Sequence, residues 1–289
     1  NKEDLELLSE MVRFLYYWTL RQDNQIRDLI GLIGGREYSE MTTRKIFQDK
    51  WEHLHEGEYT LANPEHRNTI AETVLRWTGQ PAEWFNGKQV LDAGCGDGRL
   101  SYGLCKLGAR VTSLDQSAEG LAKTAEYCGE FPNHKIVQHN LLDPLPMAEQ
   151  YDLILSFGVL HCTGNTDLAF KNLISKLAPG GVISIMVYGY PRLGKKGDFV
   201  HMNRKEFVRQ KIRHLPPESA FEFIGNWIKE GDVRGDVRGW FDATAPQVED
   251  HYTEEQVFEM FLEHEMKTIR RLGPEEMRNI CVRGEKPLG

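Results

Sequence analysis

Residues 90–117 read VLDAGCGDGRLSYGLCKLGARVTSLDQS, and this stretch gives the strongest indication of the fold class. It begins with a short apolar run that is typical of a buried strand. A turn follows in which glycines such as Gly94 and Gly96 alternate behind Asp92, and the turn leads into a helical pattern. A second apolar run ends at Asp115. The order strand, turn, helix, strand predicts two parallel strands joined by a helix.

The spacing of the turn indicates the kind of ligand that it would hold. Gly94 and Gly96 let the backbone adopt conformations that a Cβ would block, and a ligand can then lie directly on the main chain. The spacing is D-x-G-x-G-x-G, whereas dinucleotide-binding turns have G-x-G-x-x-G. Asp92 would repel a pyrophosphate but can hold an ammonium group, and Asp115 can accept both hydroxyls of a ribose. We therefore expect a ligand with a ribose and an amino-acid tail. A second interpretation makes Asp115 the cap of the next helix.

Short apolar runs alternate with helical patterns as far as Gly189, which predicts an α/β fold with parallel strands and helices on both faces. We divide the chain into an N-terminal helical cap (1–62), a ligand-binding core (63–189), an inserted lid (190–250) and a C-terminal helix with a closing strand pair (251–289). The first five strands are predicted at KQVLDAG, RVTSLD, KIVQHN, YDLILSFG and GVISIMVYG, and the closing pair at KTIRRL and RNICVRG.

Local signals mark several element ends. Asn63 and Gly79 bracket one helix, and Thr253 has capping-box spacing to Gln256 for a helix through Glu265. In the cap, two adjacent apolar rows predict a wide helical stripe over residues 5–20, which is either a lid or a dimer contact, and a second helical piece is expected at NQIRDLIGLIGG. In the insertion, the tandem GDVRGDVRG is expected to be a mobile loop. The densest basic stretch, GKKGDFVHMNRKEF, is expected to be a solvated face.

Composition limits the function classes. The formal net charge is −8, which opposes binding along a phosphate backbone. The five cysteines are scattered without a C-x-x-C pair, which favours reduced thiols in the cytoplasm over a metal cluster. The longest apolar runs are far shorter than the roughly 20 residues that cross a bilayer, so no membrane span is expected.

The quoted stretch resembles the first two motifs of class I S-adenosylmethionine-dependent methyltransferases. VQHNLLDPLP (137–146) resembles the third-strand motif, and residues 151–189 are similar to the fourth to sixth motifs, with Cys162 where close relatives have a second histidine. TRKIFQDKW (43–51) and WFDATAPQVEDHYTEEQV (240–257) resemble segments of one bacterial small-molecule subgroup. The resemblance implies a Rossmann-like sheet with a helical cap and an inserted helical lid, and S-adenosyl-L-methionine as the cofactor.

The resemblance also implies which residues contact the cofactor. Asn140 stands where the family usually has an aspartate that reaches the adenine amino group, although asparagine is also a common turn residue. Phe47 and Trp51 can close over the methionine end, where an aromatic face favours a sulfonium, with core packing as the alternative. The expected cofactor-binding residues are Trp51, Asp92, Gly94, Cys95, Gly96, Asp115, Gln116, Asn140, Leu141 and Phe157.

Methyl transfer is an in-line displacement, in which the protein aligns a nucleophile and removes its proton. His161 follows the fourth strand at a position that often faces the transferred methyl group in similar enzymes, and a hydrogen-bonded structural histidine is the alternative. Tyr188, at the end of the fifth strand, and His251, before the last helix, are further catalytic candidates.

The expected acceptor is a small molecule with a nucleophilic oxygen, nitrogen or other atom and an apolar or aromatic surface. The chain lacks the [D/N]-P-P-[Y/W] motif of adenine methyltransferases after the fourth strand, and it lacks the Pro-Cys pair of RNA cytosine enzymes. No nucleic-acid partner and no metal are therefore expected. A tRNA-modifying methyltransferase and an inactive, cofactor-binding partner subunit are the alternatives.

Overall fold

The computed structural model describes residues 2–30, 35–54, 60–231, 233–246, 248–274 and 277–288, with only the backbone of residues 2, 17, 20–30 and 35–42. These residues form two units, one of Asn1–Lys50 with Tyr190–Val248 and one of Trp51–Gly189 with Glu249–Gly289. The domain boundaries inferred from the sequence stay predictions. The helices are α1 (Lys2–Ile30), α2 (Gly35–His53), α3 (Pro64–Thr78), α4 (Arg99–Lys106), α5 (Ala118–Cys128), α6 (Thr166–Ile174), α7 (Lys196–Ile212), α8 (Pro217–Glu230), α9 (Val237–Thr244) and α10 (Glu254–Glu263), with 3-10 turns at Ala82–Phe85 and Leu160–Cys162.

The second unit is built on a seven-stranded sheet with the order β3-β2-β1-β4-β5-β7-β6. The first five strands pair in parallel, and β7 runs antiparallel to both β5 and β6, which confirms the predicted fold class. The chain order reverses between β1 and β4, and in such sheets ligands bind beyond the carboxyl ends of these strands. The strands are β1 (Gln89–Ala93), β2 (Arg110–Asp115), β3 (His134–Gln138), β4 (Tyr151–Phe157), β5 (Leu177–Val187), β6 (Lys267–Leu272) and β7 (Ile280–Glu285).

The predicted caps position the helices that flank this sheet. The side chain of Asn63 accepts a hydrogen bond from the Glu65 amide at 3.0 Å, and Gly79 ends α3 in the left-handed conformation that glycine favours. Thr253 and Gln256 form the expected capping box at the start of α10. This helix ends at Glu263, slightly before the predicted end. The expected helix starts are thus confirmed.

The first unit bears on two predictions about the cap. The described part of the first 30 residues is one continuous helix, α1, so no separate helical piece begins within it, and the glycine-rich segment 31–34 lies outside the described residues. Both predicted apolar rows lie on this helix, and one of them is covered because it packs against α7. The covered row is Leu7, Met11, Phe14 and Trp18, against Phe199 and Met202. The other row, Leu5, Leu8, Val12 and Leu15, is 55–69% exposed.

The insertion is also more ordered than expected. Asp236, in the second GDVRG copy, caps α9 by accepting the Gly239 amide at 2.7 Å, so the loop prediction is wrong for this copy. Asp232, in the first copy, lies outside the described residues. The solvated-face prediction for residues 194–207 is wrong as well, because Lys205 and Glu206 are buried. Glu206 contacts Arg209 at 3.3 Å, and this pairing makes the burial of its charge tolerable.

Candidate active site

The glycine turn after β1 is shaped by close neighbours as well as by backbone conformation. Gly94 and Gly96 have φ angles of 85° and 56°, in the left-handed region. A Cβ on Gly94 would stand 2.3 Å from the side chain of Val159, and one on Gly96 would stand 2.6 Å from the ring of Trp51. Both positions therefore require glycine on two independent physical grounds.

Asp115 joins the glycine turn to the start of α5. One carboxylate oxygen accepts the Gly96 amide at 2.8 Å, and the other accepts the Ser117 amide at 2.9 Å. Ser117 is the N-cap of α5, since its hydroxyl accepts the Gly120 amide at 3.1 Å. The interpretation of Asp115 as the helix cap is therefore wrong. Each carboxylate oxygen can accept more than one hydrogen bond, so lone pairs remain for the hydroxyls of a ligand.

Asp92 lies at one end of a chain of hydrogen bonds beneath the turn. The Ser101 hydroxyl donates to Asp92 at 2.6 Å, and Ser113 lies 2.6 Å from Ser101 and 2.7 Å from Nε2 of His134. Because the Ser101 proton is used on Asp92, Ser113 must donate to Ser101, and His134 must donate to Ser113. Each hydrogen bond in this series is thus donated in the direction of the Asp92 carboxylate.

The electrostatics of this carboxylate are unusual. Burial raises the pKa of Asp92 to about 6, the Ser101 bond acts against the rise, and the negative charge of Asp115 adds to it. At the other end of this series of hydrogen bonds, burial lowers the pKa of His134. A cation beside Asp92 would favour its ionised form, so the buried carboxylate suits a ligand with an ammonium group.

Two further predicted cofactor residues lie against α5 and the glycine turn. The Trp51 ring is buried against Gly96 and Gly120, so it lies on the turn. The Cys95 amide donates to the carbonyl of Leu114, and its thiol faces Thr124 at 3.7 Å. Burial and the nearby Asp115 and Asp92 raise the pKa of Cys95 well above its usual range, so the thiol is unreactive.

The remaining predicted cofactor residues follow the strands that flank this turn. The side-chain oxygen of Asn140 accepts the Leu142 amide at 3.0 Å, so the residue shapes a turn after β3. The carbonyl of Leu141 accepts a hydrogen bond from Asn172, and the carbonyl of Gln116 accepts one from Gln138. At the end of β4, the Phe157 ring packs against Trp77 with centroids 6.1 Å apart. Cofactor contacts by these residues stay predictions.

The structure brings the three predicted catalytic residues together. His161 is fully buried, and the centroid of its ring lies 4.0 Å from that of Tyr188. The Tyr188 ring lies 6.3 Å from that of His251. Asp250 donates its amide to the carbonyl of His161 at 2.7 Å, and Tyr252 donates to the carbonyl of Tyr188 at 3.0 Å. The segment 250–252 is thereby fixed across the ends of β4 and β5.

Glu249 belongs to this cluster and was missed by the sequence reasoning. Its carboxylate lies 3.1 Å from Nε2 of His251, and neither side chain is exposed to solvent. Two side chains at i and i+2 share a face where the backbone is extended. That spacing was the available signal, but the sequence assigns residues 249–251 to neither a helix nor a strand.

The cofactor residues and the catalytic candidates lie along one edge of the sheet. Val159, which packs against Gly94, is two residues before His161 in the chain. In the described part of the chain, no group of three His, Cys, Asp or Glu side chains is arranged to hold a metal ion. None of the described helices is both long and apolar enough to cross a membrane.

The reversal of strand order beside a glycine turn and a strand-end carboxylate defines a nucleoside-binding α/β domain. A family model described as a methyltransferase domain matches residues 91–183. Residues 91–183 thus form a methyltransferase domain, in agreement with the resemblance of the sequence to class I S-adenosylmethionine-dependent methyltransferases.

Relatives agree with this assignment. The chain is 38% identical over 155 residues to an uncharacterized protein of Synechococcus, covering 52% of this chain and 32% of that protein. It is 33% identical over 130 residues to a ubiquinone biosynthesis O-methyltransferase of Erwinia tasmaniensis, covering 44% of this chain and 51% of the enzyme. The chain therefore spans at most about half the length of these relatives. The fold is similar to that of the N-methyltransferase NodS of Bradyrhizobium japonicum, solved with S-adenosyl-L-homocysteine, with a TM-score of 0.51, 15% identity and coverage of 85% of this chain and 99% of NodS.

Proposed function

We propose that the chain is an enzyme that transfers the methyl group of S-adenosyl-L-methionine to a small-molecule acceptor. The observation that carries the proposal is the common sheet edge: the glycine turn with Asp115 lies at one part of it, and His161, Tyr188 and His251 cluster at another. Val159 connects the two parts through its contact with Gly94. A cofactor on the turn would place its methyl group beside groups that can orient a nucleophile.

On the cofactor side, each role follows from the chemistry of the residue. Asp115 accepts the ribose hydroxyls with the lone pairs that its backbone bonds leave over. Asp92 stabilises the ammonium group, because a nearby cation offsets the cost of ionising a buried carboxylate. Asn140 contacts the adenine, and the Trp51 ring covers the glycine turn.

On the acceptor side, the bound cofactor supplies an electrophilic methyl group on a sulfonium that is a good leaving group. The protein then has to orient the acceptor nucleophile and take its proton. His161, Tyr188 and His251 supply imidazole and phenol groups for both tasks. The relatives named above as O- and N-methyltransferases support an oxygen or nitrogen nucleophile. We also propose that the acceptor has an apolar or aromatic surface. The proposed role of α1 is either a lid or a dimer contact.

Calorimetry with S-adenosyl-L-homocysteine tests the cofactor assignment. We expect micromolar binding, and we expect Asp115→Ala to weaken it by about 1.5–3 kcal/mol, the usual contribution of hydrogen bonds to a charged group. Asp152→Ala is the matched control, since Asp152 also accepts a backbone amide, that of Gln89 at 2.9 Å, but at the opposite edge of the sheet. Tight binding of NAD without binding of S-adenosyl-L-homocysteine would refute the assignment.

Turnover requires a separate experiment. Incubation with methyl-labelled S-adenosyl-L-methionine and a small-molecule extract should transfer label to a small molecule, and the same assay with total tRNA should not. Label in tRNA would favour the alternative of a tRNA-modifying enzyme. Cofactor binding without any transfer would favour the inactive partner subunit.

A further inference from the structure

Glu249 and His251 form a carboxylate–imidazole pair that is enclosed by protein. The two side chains are 3.1 Å apart, and both are inaccessible to solvent. Enclosing an ionised carboxylate costs several kcal/mol unless a partner shares a proton with it or carries the opposite charge. An imidazole 3.1 Å away meets this requirement, so the pair is suited to hold and release one proton.

We propose that Glu249 is a positioning residue that holds Nε2 of His251, so that Nδ1 of His251 takes the proton from the acceptor nucleophile. This inference rests on the proposed methyltransferase function, and it names His251 as the proton acceptor among the three catalytic candidates. Glu249 acts through His251, because it fixes the tautomer of the imidazole and stabilises the imidazolium that forms.

The backbone around His251 is fixed on both sides. Asp250, which precedes it, donates its amide to the carbonyl of His161, and Tyr252, which follows it, donates to the carbonyl of Tyr188. Tyr252 also forms a bridge to Gly189. These bonds hold the backbone of His251 beside the segments that follow β4 and β5.

The surroundings of His251 suit it to the role of proton acceptor. The titratable groups beside His251 include Glu249 and Tyr188. The Glu249 carboxylate lies 3.1 Å from Nε2 of His251, and a carboxylate at this distance stabilises an imidazolium. In the proposed step, the acceptor proton moves to Nδ1 of His251 and the nucleophile forms a bond to the methyl carbon. The carbon–sulfur bond breaks with its electron pair on sulfur, and His251 later releases the proton to solvent.

A second histidine–carboxylate pair in the same unit provides a matched control. Nε2 of His264 lies 2.8 Å from Asp167, but the carboxylate of Asp167 is 64% exposed. An exposed pair of this kind contributes little, and it lies outside the cluster described here. Asp167→Asn therefore removes the same chemical contact without touching His251.

NMR of the wild-type protein tests the inference without an acceptor. Imidazole ¹⁵N spectra, with His251 identified by comparison with His251→Gln, should show the proton of neutral His251 on Nε2. The imidazolium form should disappear at lower pH in Glu249→Gln than in the wild type, and Asp167→Asn should leave the His251 titration unchanged. A neutral wild-type His251 with its proton on Nδ1 would overturn the proposal even if Glu249→Gln did not fold.

Labelled transfer to the small molecule found in the extract supplies the kinetic test. We expect Glu249→Gln to lower kcat by between about 10- and 10⁴-fold with little change in KM, and to move the acidic limb of the rate profile to lower pH. Cofactor affinity should stay within a few-fold. An active wild type with the same kcat and the same limb in Glu249→Gln would refute the role of Glu249. A wild type that neither binds S-adenosyl-L-homocysteine nor transfers label would instead refute the proposed function.

Discussion

Replacing Asp92 with asparagine should stabilise the ligand-free protein near neutral pH while weakening its binding of the cofactor. Asp92 is buried, and its Oδ2 accepts the Ser101 hydroxyl at 2.6 Å. Asparagine has nearly the same shape, and its side-chain oxygen can accept the same bond. The substitution thus removes the ionisable group and retains the chain of hydrogen bonds through Ser113 to His134.

The size of the expected change in the free energy of unfolding follows from the pKa of Asp92. Burial raises this pKa from 3.8 to about 6, so the folded state holds the proton more tightly than the unfolded chain does. The free energy of unfolding therefore decreases as pH rises between these values, by roughly 3 kcal/mol in total. Roughly 2 kcal/mol of the decrease falls between about pH 4.5 and about pH 7.5. Asp92→Asn lacks this decrease, so its stability relative to the wild type should rise by that amount.

Cofactor binding should change in the opposite direction. The proposed contact with the ammonium group of the cofactor would favour ionised Asp92, so the wild type should bind S-adenosyl-L-homocysteine more tightly as pH rises through about 6. Asp92→Asn should bind it more weakly at neutral pH and with less dependence on pH. The same substitution would then increase stability and reduce affinity, which simple damage to the fold cannot do.

Urea unfolding at the two pH values measures the first effect, and calorimetry at both measures the second. Asp152→Asn serves as the control, because Asp152 is partly exposed at the opposite edge of the sheet. Parallel pH dependences of stability for the wild type and Asp92→Asn would contradict the raised pKa. A pH-independent affinity in the wild type would contradict the contact with the ammonium group.

Two further predictions concern the glycine turn and His161. Gly96→Ala should destabilise the protein by about 1–3 kcal/mol, because Gly96 is left-handed and a Cβ would stand 2.6 Å from the Trp51 ring. Thermal unfolding checks this against Gly197→Ala, which has open space and should not destabilise. His161 is proposed to orient the acceptor, so His161→Ala should lower kcat by about 10²–10⁴-fold and leave S-adenosyl-L-homocysteine affinity within a few-fold, as measured by labelled transfer and calorimetry. Transfer at the wild-type rate would show that His161 is structural.

The strands and caps of the core could be predicted because their determinants are local. The run KTIRRL coincides with β6, and the capping box at Thr253 depends on residues three positions apart. The same locality explains the glycine turn, since the strand, turn and helix that form it are contiguous. Asp115 was found for the same reason, because it ends the next strand along the chain.

Two errors arose where the polar composition of a segment was taken as a sign that it is exposed or irregular. Charged residues at 194–207 suggested a solvated face, but Glu206 is paired with Arg209, and a guanidinium nitrogen of Arg209 donates to the carbonyl of Ala243 at 3.2 Å. The second GDVRG copy suggested a loop, but Asp236 begins α9. In both cases the composition was interpreted correctly as polar, but the partner lies only three residues away, and composition alone did not show that the two groups pair.

The edge of the sheet that carries the candidate site also has a part formed by local sequence and a part assembled from distant segments. Many of its predicted cofactor residues, from Asp92 to Gln116, come from one contiguous stretch, so a motif can reveal them in a single sequence. Its catalytic half gathers His161, Tyr188 and the segment 249–252, which are far apart in the chain and meet through the amides of Asp250 and Tyr252. Since those bonds use main-chain atoms, they place few demands on side-chain identity. The motif at the strand ends therefore indicates the cofactor from the sequence, whereas the residues proposed to face the acceptor come together only in the fold.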